Sequence, residues 1–159
     1  MQCHEKTEKR RRLVLLALLA LLLLFIFGNS LLPPALSWQL TDAVQSAAED
    51  LLPLEQADAA LARRSGYSLR KLAHFSEYAL LALVLGTLLA ADRHKQHLPT
   101  ALLLGILTAL LDETVQRFTG RTSSVLDVWL DTAGFAAGLA LLCLLYRLRK
   151  RRQQTNDQS

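Results

Sequence analysis

Four long apolar blocks decide what this chain can fold into. Leu13 to Phe27 carries neither charge nor proline, and its apolar character runs on to Leu32. That is about 20 residues, the length of a helix that crosses the hydrocarbon of a bilayer. Further blocks lie at 72–91, 98–118 and 124–146. Hydrophobic residues make up 52% of the chain and aromatics only 6%, so the excess is Leu and Ala, gathered into these blocks instead of spread as in a water-soluble core. The pattern predicts an all-α, polytopic membrane protein: a four-transmembrane-helix bundle spanning 13–32, 72–91, 98–118 and 124–146. Lys9-Arg10-Arg11-Arg12 ahead of the first block also suits a secretory signal peptide, but the run is long and no small-x-small cleavage site follows, so the first span is read as retained. Cys3 and Cys143 sit in a tail and in the last span and make no disulfide framework.

Basic residues set the expected orientation. With the N-terminus inside, the inner segments hold Lys6, Lys9, Arg10, Arg11, Arg12, Arg93, Lys95, Arg147, Arg149, Lys150, Arg151 and Arg152, twelve of the eighteen Lys and Arg. The outer segments hold the other six: Arg63, Arg64, Arg70, Lys71, Arg117 and Arg121. The positive-inside rule then puts both termini in the cytosol, with 1–12 and 147–159 as basic tails, 13–146 as the membrane domain and 33–70 as an outer loop. The net charge of +4 reads as topology and contact with anionic lipid, not as nucleic-acid binding.

The outer loop opens with Pro33-Pro34, which stops the first helix. Leu40, Val44, Ala47, Ala48, Leu51 and Leu52 recur at helical spacing beside Asp42, Gln45, Glu49 and Asp50, predicting a short amphipathic segment that lies on the outer surface and ends before Pro53. Trp38 suits the headgroup level, and a second short helix is expected over 54–64.

Ionisable residues then appear where they are expensive. The third block has only 14 apolar residues, Leu98 to Leu111, before Asp112-Glu113. Its helix must continue through Gln116 toward Phe118 to cross, which leaves two carboxylates within the outer leaflet. In the second span Lys71, His74, Glu77 and Tyr78 fall within about a third of the circumference. In the fourth, Asp127, Asp131, Gly134 and Gly138 form a narrow stripe, and Gly134-x-x-x-Gly138 invites a close helix neighbour. Gly120 gives the outer turn, and Thr122 or Ser123 suits the cap of the last helix.

Three stripes, all polar at the outer end, predict one binding pocket made of Lys71, His74, Glu77, Tyr78, Asp112, Glu113, Gln116, Arg121, Asp127 and Asp131. Lys71, Arg117 and Arg121 offset at most three of its five carboxylates. The surplus requires protons on carboxylates, a charged His74 or a bound cation. A divalent metal would find ligands among His74, Asp112, Glu113 and Asp127, although their spacing matches no standard metal motif. For catalysis the candidates are Asp112, Glu113 and His74, with Asp112 as general base and His74 as acid; Ser76, Ser123 and Ser124 read as caps or turn residues. The bland alternative is mutual neutralisation, Lys71 with Glu77 or Asp112 and Arg121 with Asp127.

Lys71-x-x-His74-x-x-x-Tyr78, Asp112-Glu113-x-x-Gln116-x-Phe118-x-Gly120-Arg121, and Asp127 with Gly134 and Gly138 together resemble the VanZ-like family of small bacterial membrane proteins, over residues 67–146. One position departs: Asp131 stands where the family usually has Asn. The resemblance implies a multi-pass protein of the bacterial cytoplasmic (inner) membrane, from a family named for a protein that accompanies glycopeptide-resistance clusters and lowers susceptibility to teicoplanin. The expected function is binding or modification of a cell-envelope lipid, a lipid-linked glycan precursor or a lipidated glycopeptide antibiotic. Two alternatives stand beside it: a membrane-embedded hydrolase or transferase acting on a lipid-linked phosphate, and a structural partner of another membrane protein or of a second copy through the Gly134/Gly138 face.

Overall fold

The computed structural model describes residues 2–51, 59–90, 97–121 and 124–156, which form five helices with no strand among them. They are α1 (Gln2–Leu31), α2 (Pro34–Leu51), α3 (Ala59–Ala90), α4 (His97–Phe118) and α5 (Val125–Asn156). Four contain segments long and apolar enough to cross a membrane: Glu5–Leu31, Ser68–Ala90, Leu98–Phe118 and Val125–Thr155. The fold is the expected all-α membrane bundle, and α4 runs through Asp112 and Glu113 to Phe118 as the length argument requires.

Local chemistry explains the ends. Pro34 occupies the first position of α2, where its missing N–H is no loss. Two differences from the sequence reading concern the segment between the first two spans. The helix α2 starts at Pro34, earlier than the Leu40 periodicity marks, and its Ser37 and Thr41 are buried while Leu40 and Val44 are 49% and 57% exposed. The Thr41 hydroxyl can turn toward the bundle because it satisfies itself locally, donating to the Ser37 carbonyl at 3.0 Å. The second difference is that 59–64 is no separate helix: no proline interrupts 59–90, and α3 is continuous from Ala59. Residues 54–58 of that expected helix lie outside the described residues.

The bundle core is Ile26, Tyr78, Leu81, Ala82, Ala101, Ala109, Phe135 and Leu139. Its closest seam joins α3 to α5. A Cβ on Gly134 would strike the Phe75 carbonyl, and one on Gly138 the Ala79 carbonyl, so only glycine lets these backbones touch. Gly105 on α4 makes room in the same way for the Phe135 ring, 2.6 Å from where its Cβ would stand. The Gly134/Gly138 face is thus packed against α3 of the same chain. Helix α1 is the least buried span, packed on α3 and α4 through Ile26 and the leucines around it.

Candidate functional site

The ends of α1 and α4 and the first turns of the α3 and α5 spans meet at one end of the bundle, and the polar stripes meet there with them. Two terminal motifs set this geometry. Helix α4 closes in a Schellman arrangement, with Arg121 N–H donating to the Gln116 carbonyl at 3.0 Å and Gly120 N–H to the Arg117 carbonyl at 3.4 Å. Gly120 has φ +76°, the left-handed conformation this motif needs. The turn sends the Arg121 side chain back across the bundle to donate to the Asn29 carbonyl of α1 at 2.7 Å. Helix α5 opens with Ser124, whose hydroxyl accepts from Asp127 N–H at 3.3 Å and donates to the Asp127 carboxylate at 2.7 Å. Thr122 and Ser123, the caps expected from sequence, lie outside the described residues.

Asp112 is the buried centre, 0% exposed. It accepts from the Ser30 hydroxyl and, at 3.1 Å, from Gln116 Nε2, which also reaches Ser30 Oγ at 3.3 Å. Thr119 donates to the Ser30 carbonyl at 3.0 Å, tying α4 to α1 a second time. The His74 ring sits with Nδ1 4.0 Å from Asp112 Oδ2. Tyr78 is fully buried beside these groups, and Glu113 and Gln116 are buried as well. Lys71 Nζ lies 3.3 Å from Asp127, a pairing the sequence reading did not name, while Arg121 donates to α1. Helix azimuth, set by the glycine seam, chooses these partners.

Two cavities open at this end. The larger, of about 370 Å³, lies between α1, α2 and α3. Phe25, Leu32, Leu40, Val44 and Leu69 form its apolar wall, and Asn29, Arg70, His74, Glu77 and Arg121 its polar end. The smaller, of about 50 Å³, is lined by Lys71, His74, Glu113, Gln116, Asp127 and Asp131 together with Trp38, Arg70 and Leu130. His74 and Arg70 border both. Eight of the ten predicted site residues therefore line a cavity, and the other two, Tyr78 and Asp112, are buried among them. Burial and the Arg70 charge lower the pKa of Arg121 from its ordinary value, against the opposing pull of Asp112, Glu113 and Glu77.

The clustering of potential ligand atoms differs from the sequence expectation. The ligand atoms that cluster, all within 4.8 Å of one another, belong to His74, Asp112 and Asp131. Asp127 is drawn one turn away to Lys71 and Ser124, and Glu113 is not part of the cluster. Of the expected caps or turn residues, Ser76 donates to the Leu72 and Ala73 carbonyls within its own helix.

Sequence reasoning missed the first span's share of the site. Asn29 and Ser30 were visible as the polar pair that breaks the first apolar block, directly after Gly28. Arg70 was also missed; its guanidinium lies 5.0 Å from the Trp38 ring centroid, a cation–π contact that pins α2 to α3.

The model of the family described as VanZ/LLP1 matches residues 15–146. Searches of curated proteins and of solved structures gave no match.

Proposed function

As the chain belongs to the VanZ/LLP1 family and has four helices long and apolar enough to cross a membrane, we propose that it is a membrane receptor for an anionic amphiphile of the cell envelope. The observation that carries this reading is the larger cavity, with an apolar wall on three helices and a polar end that brings Arg70 and Arg121 together. A hydrocarbon tail lies along Phe25, Leu40, Val44 and Leu69. A phosphate or carboxylate head accepts from the two guanidinium groups, where charge-assisted bonds are strongest. Glu77, whose Oε2 has no hydrogen-bond partner, accepts from a hydroxyl or amine on the same head. At about 370 Å³ the cavity takes a head and the first part of a chain, the rest lying in lipid.

In this reading the polar end faces outward, both termini lie in the cytosol and the membrane is the bacterial inner membrane, as the basic residues suggest. The occupant is a lipid-linked envelope intermediate or another envelope lipid. A lipidated glycopeptide of the teicoplanin type has the same layout, an acyl tail on a polar head. Titration of the purified protein in neutral detergent with polyprenyl phosphate, phosphatidylglycerol, teicoplanin and phosphatidylcholine, followed by thermal shift, tests it. Stabilisation by one or more of the anionic amphiphiles, weakened in Arg70→Ala and Arg121→Ala, is expected; equal response to phosphatidylcholine, or none to any of them, rejects the receptor.

A further inference from the structure

Asp131 stands apart among the buried groups of this protein. It is 1% exposed, yet neither carboxylate oxygen has a hydrogen-bond partner. Its neighbours make this worse, because Glu113, Asp112, Asp127 and Glu77 all act on it with the same sign of charge. A carboxylate so placed needs a positive charge brought to it or a proton. Lys71 Nζ stands 3.3 Å from a different carboxylate, Asp127.

The unpartnered oxygens of Asp131 share their space with two further donors. His74 Nδ1 is likewise buried without a hydrogen-bond partner. Asp112 completes the group, and the three ligand atoms lie within 4.8 Å of one another. Around a single tetrahedral ion, ligand atoms at about 2.1 Å from the metal stand about 3.4 Å apart, so the ligand atoms need close by no more than about 1.4 Å to meet it. The supporting shell is already built: Ser30 and Gln116, the latter at 3.1 Å, hold the Asp112 carboxylate in orientation, as the partners of a ligating group do. The small cavity beside His74 and Asp131 leaves room for water in the remaining positions.

We propose that His74, Asp112 and Asp131 form a binding site for one divalent transition-metal cation. One imidazole with two carboxylates is a donor set of intermediate hardness, suited to manganese or zinc and poorly matched to magnesium, which prefers oxygen alone. The ion neutralises two carboxylates whose acidic neighbours Glu77 and Glu113 only add charge of the same sign. It also sits one side chain away from the polar end of the larger cavity, since His74 borders both. The site stands whether or not that cavity holds an amphiphile, so its test uses metal alone.

Full-length protein, purified in neutral detergent and stripped with chelator, is titrated with Mn2+ and the free ion followed by electron paramagnetic resonance. Thermal shift is recorded in parallel with Mn2+ and with Zn2+. The expected result is one ion per chain with a rise in melting temperature, and affinity lower by about a hundredfold in Asp131→Asn and in His74→Ala. Asp42→Asn, which removes an exposed carboxylate on α2, leaves affinity unchanged. In the stripped state Asp131→Asn melts above the wild type, because a neutral amide at this buried position needs neither a proton nor a cation, and gains nothing from added metal. The proposal is overturned if the wild type takes up no ion, if Asp131→Asn binds as tightly as the wild type, or if stripped wild type and Asp131→Asn melt together and neither responds to metal.

Discussion

Two cavities of this bundle are of similar size and are lined in opposite ways. One cavity, of about 370 Å³, ends in Arg70, His74, Glu77 and Arg121; the other, of about 330 Å³ between α3, α4 and α5, is lined by Gly86, Leu98, Pro99, Leu139, Leu142, Cys143 and a few similar side chains with no charge among them. Packing alone would fill either with leucine. The apolar end is what an imperfectly filled helix bundle looks like in lipid. The polar end holds four carboxyl-bearing side chains of low exposure, Glu77, Asp112, Glu113 and Asp131, and supports one of them with bonds from two helices. Charge is placed in that setting against its own solvation energy, which is why function is sought at that end.

The contrast depends on the seam that sets both ends in register. Gly138→Leu drives a side chain into the Ala79 carbonyl and should destabilise the bundle by about 3 kcal/mol or more, seen as loss of a monodisperse peak on size exclusion. A variant that stays folded and monodisperse would mean α3 and α5 do not meet as described. Next in size, Asp112→Ala strands the Ser30 hydroxyl and the Gln116 amide and should lower stability by about 2 kcal/mol in denaturant titration. Arg121→Ala removes one charge-assisted donor from the larger cavity and should weaken an anionic amphiphile about tenfold, read by thermal-shift titration. Gly120→Ala forces a side chain into the left-handed turn that aims Arg121, at about 1 kcal/mol, with a smaller loss of affinity than Arg121→Ala. At the apolar end, Cys143→Leu fills space without touching charge; it should move stability by less than about 1 kcal/mol and leave the preference for anionic amphiphiles as it was. If Cys143→Leu changed that preference as much as Arg121→Ala does, the two ends would not differ in function.

How much of this was legible depends on which residues carry the signal. The spans were readable because length and composition are local properties: the block ending at Leu111 could not cross without Asp112 and Glu113, and α4 includes them. The stripes were readable because side chains at i, i+4 must share a face, and eight of the ten residues so picked line a cavity. Partners were not. Lys71 stands beside Asp127, a pairing that depends on how α5 is rotated against α3 at Gly134 and Gly138, a contact that periodicity within one helix does not specify. For the same reason Asp131, not Asp127 or Glu113, completes the cluster with His74 and Asp112. Asn29 and Ser30 escaped because two small polar residues hardly alter the hydropathy of a long leucine run, although they hold Arg121 and Asp112.

The receptor reading is tested most directly by native mass spectrometry of the protein released from mild detergent, comparing wild type with Arg70→Ala/Arg121→Ala and with Val44→Trp, which narrows the apolar wall of the larger cavity. The predicted result is a wild-type spectrum that retains an anionic amphiphile after neutral lipids have been stripped, and loss of that adduct in both variants while Cys143→Leu keeps it. Retention that is identical in all four proteins, or a wild type that emerges without any amphiphile, would contradict the assignment of the polar-end cavity as the binding site.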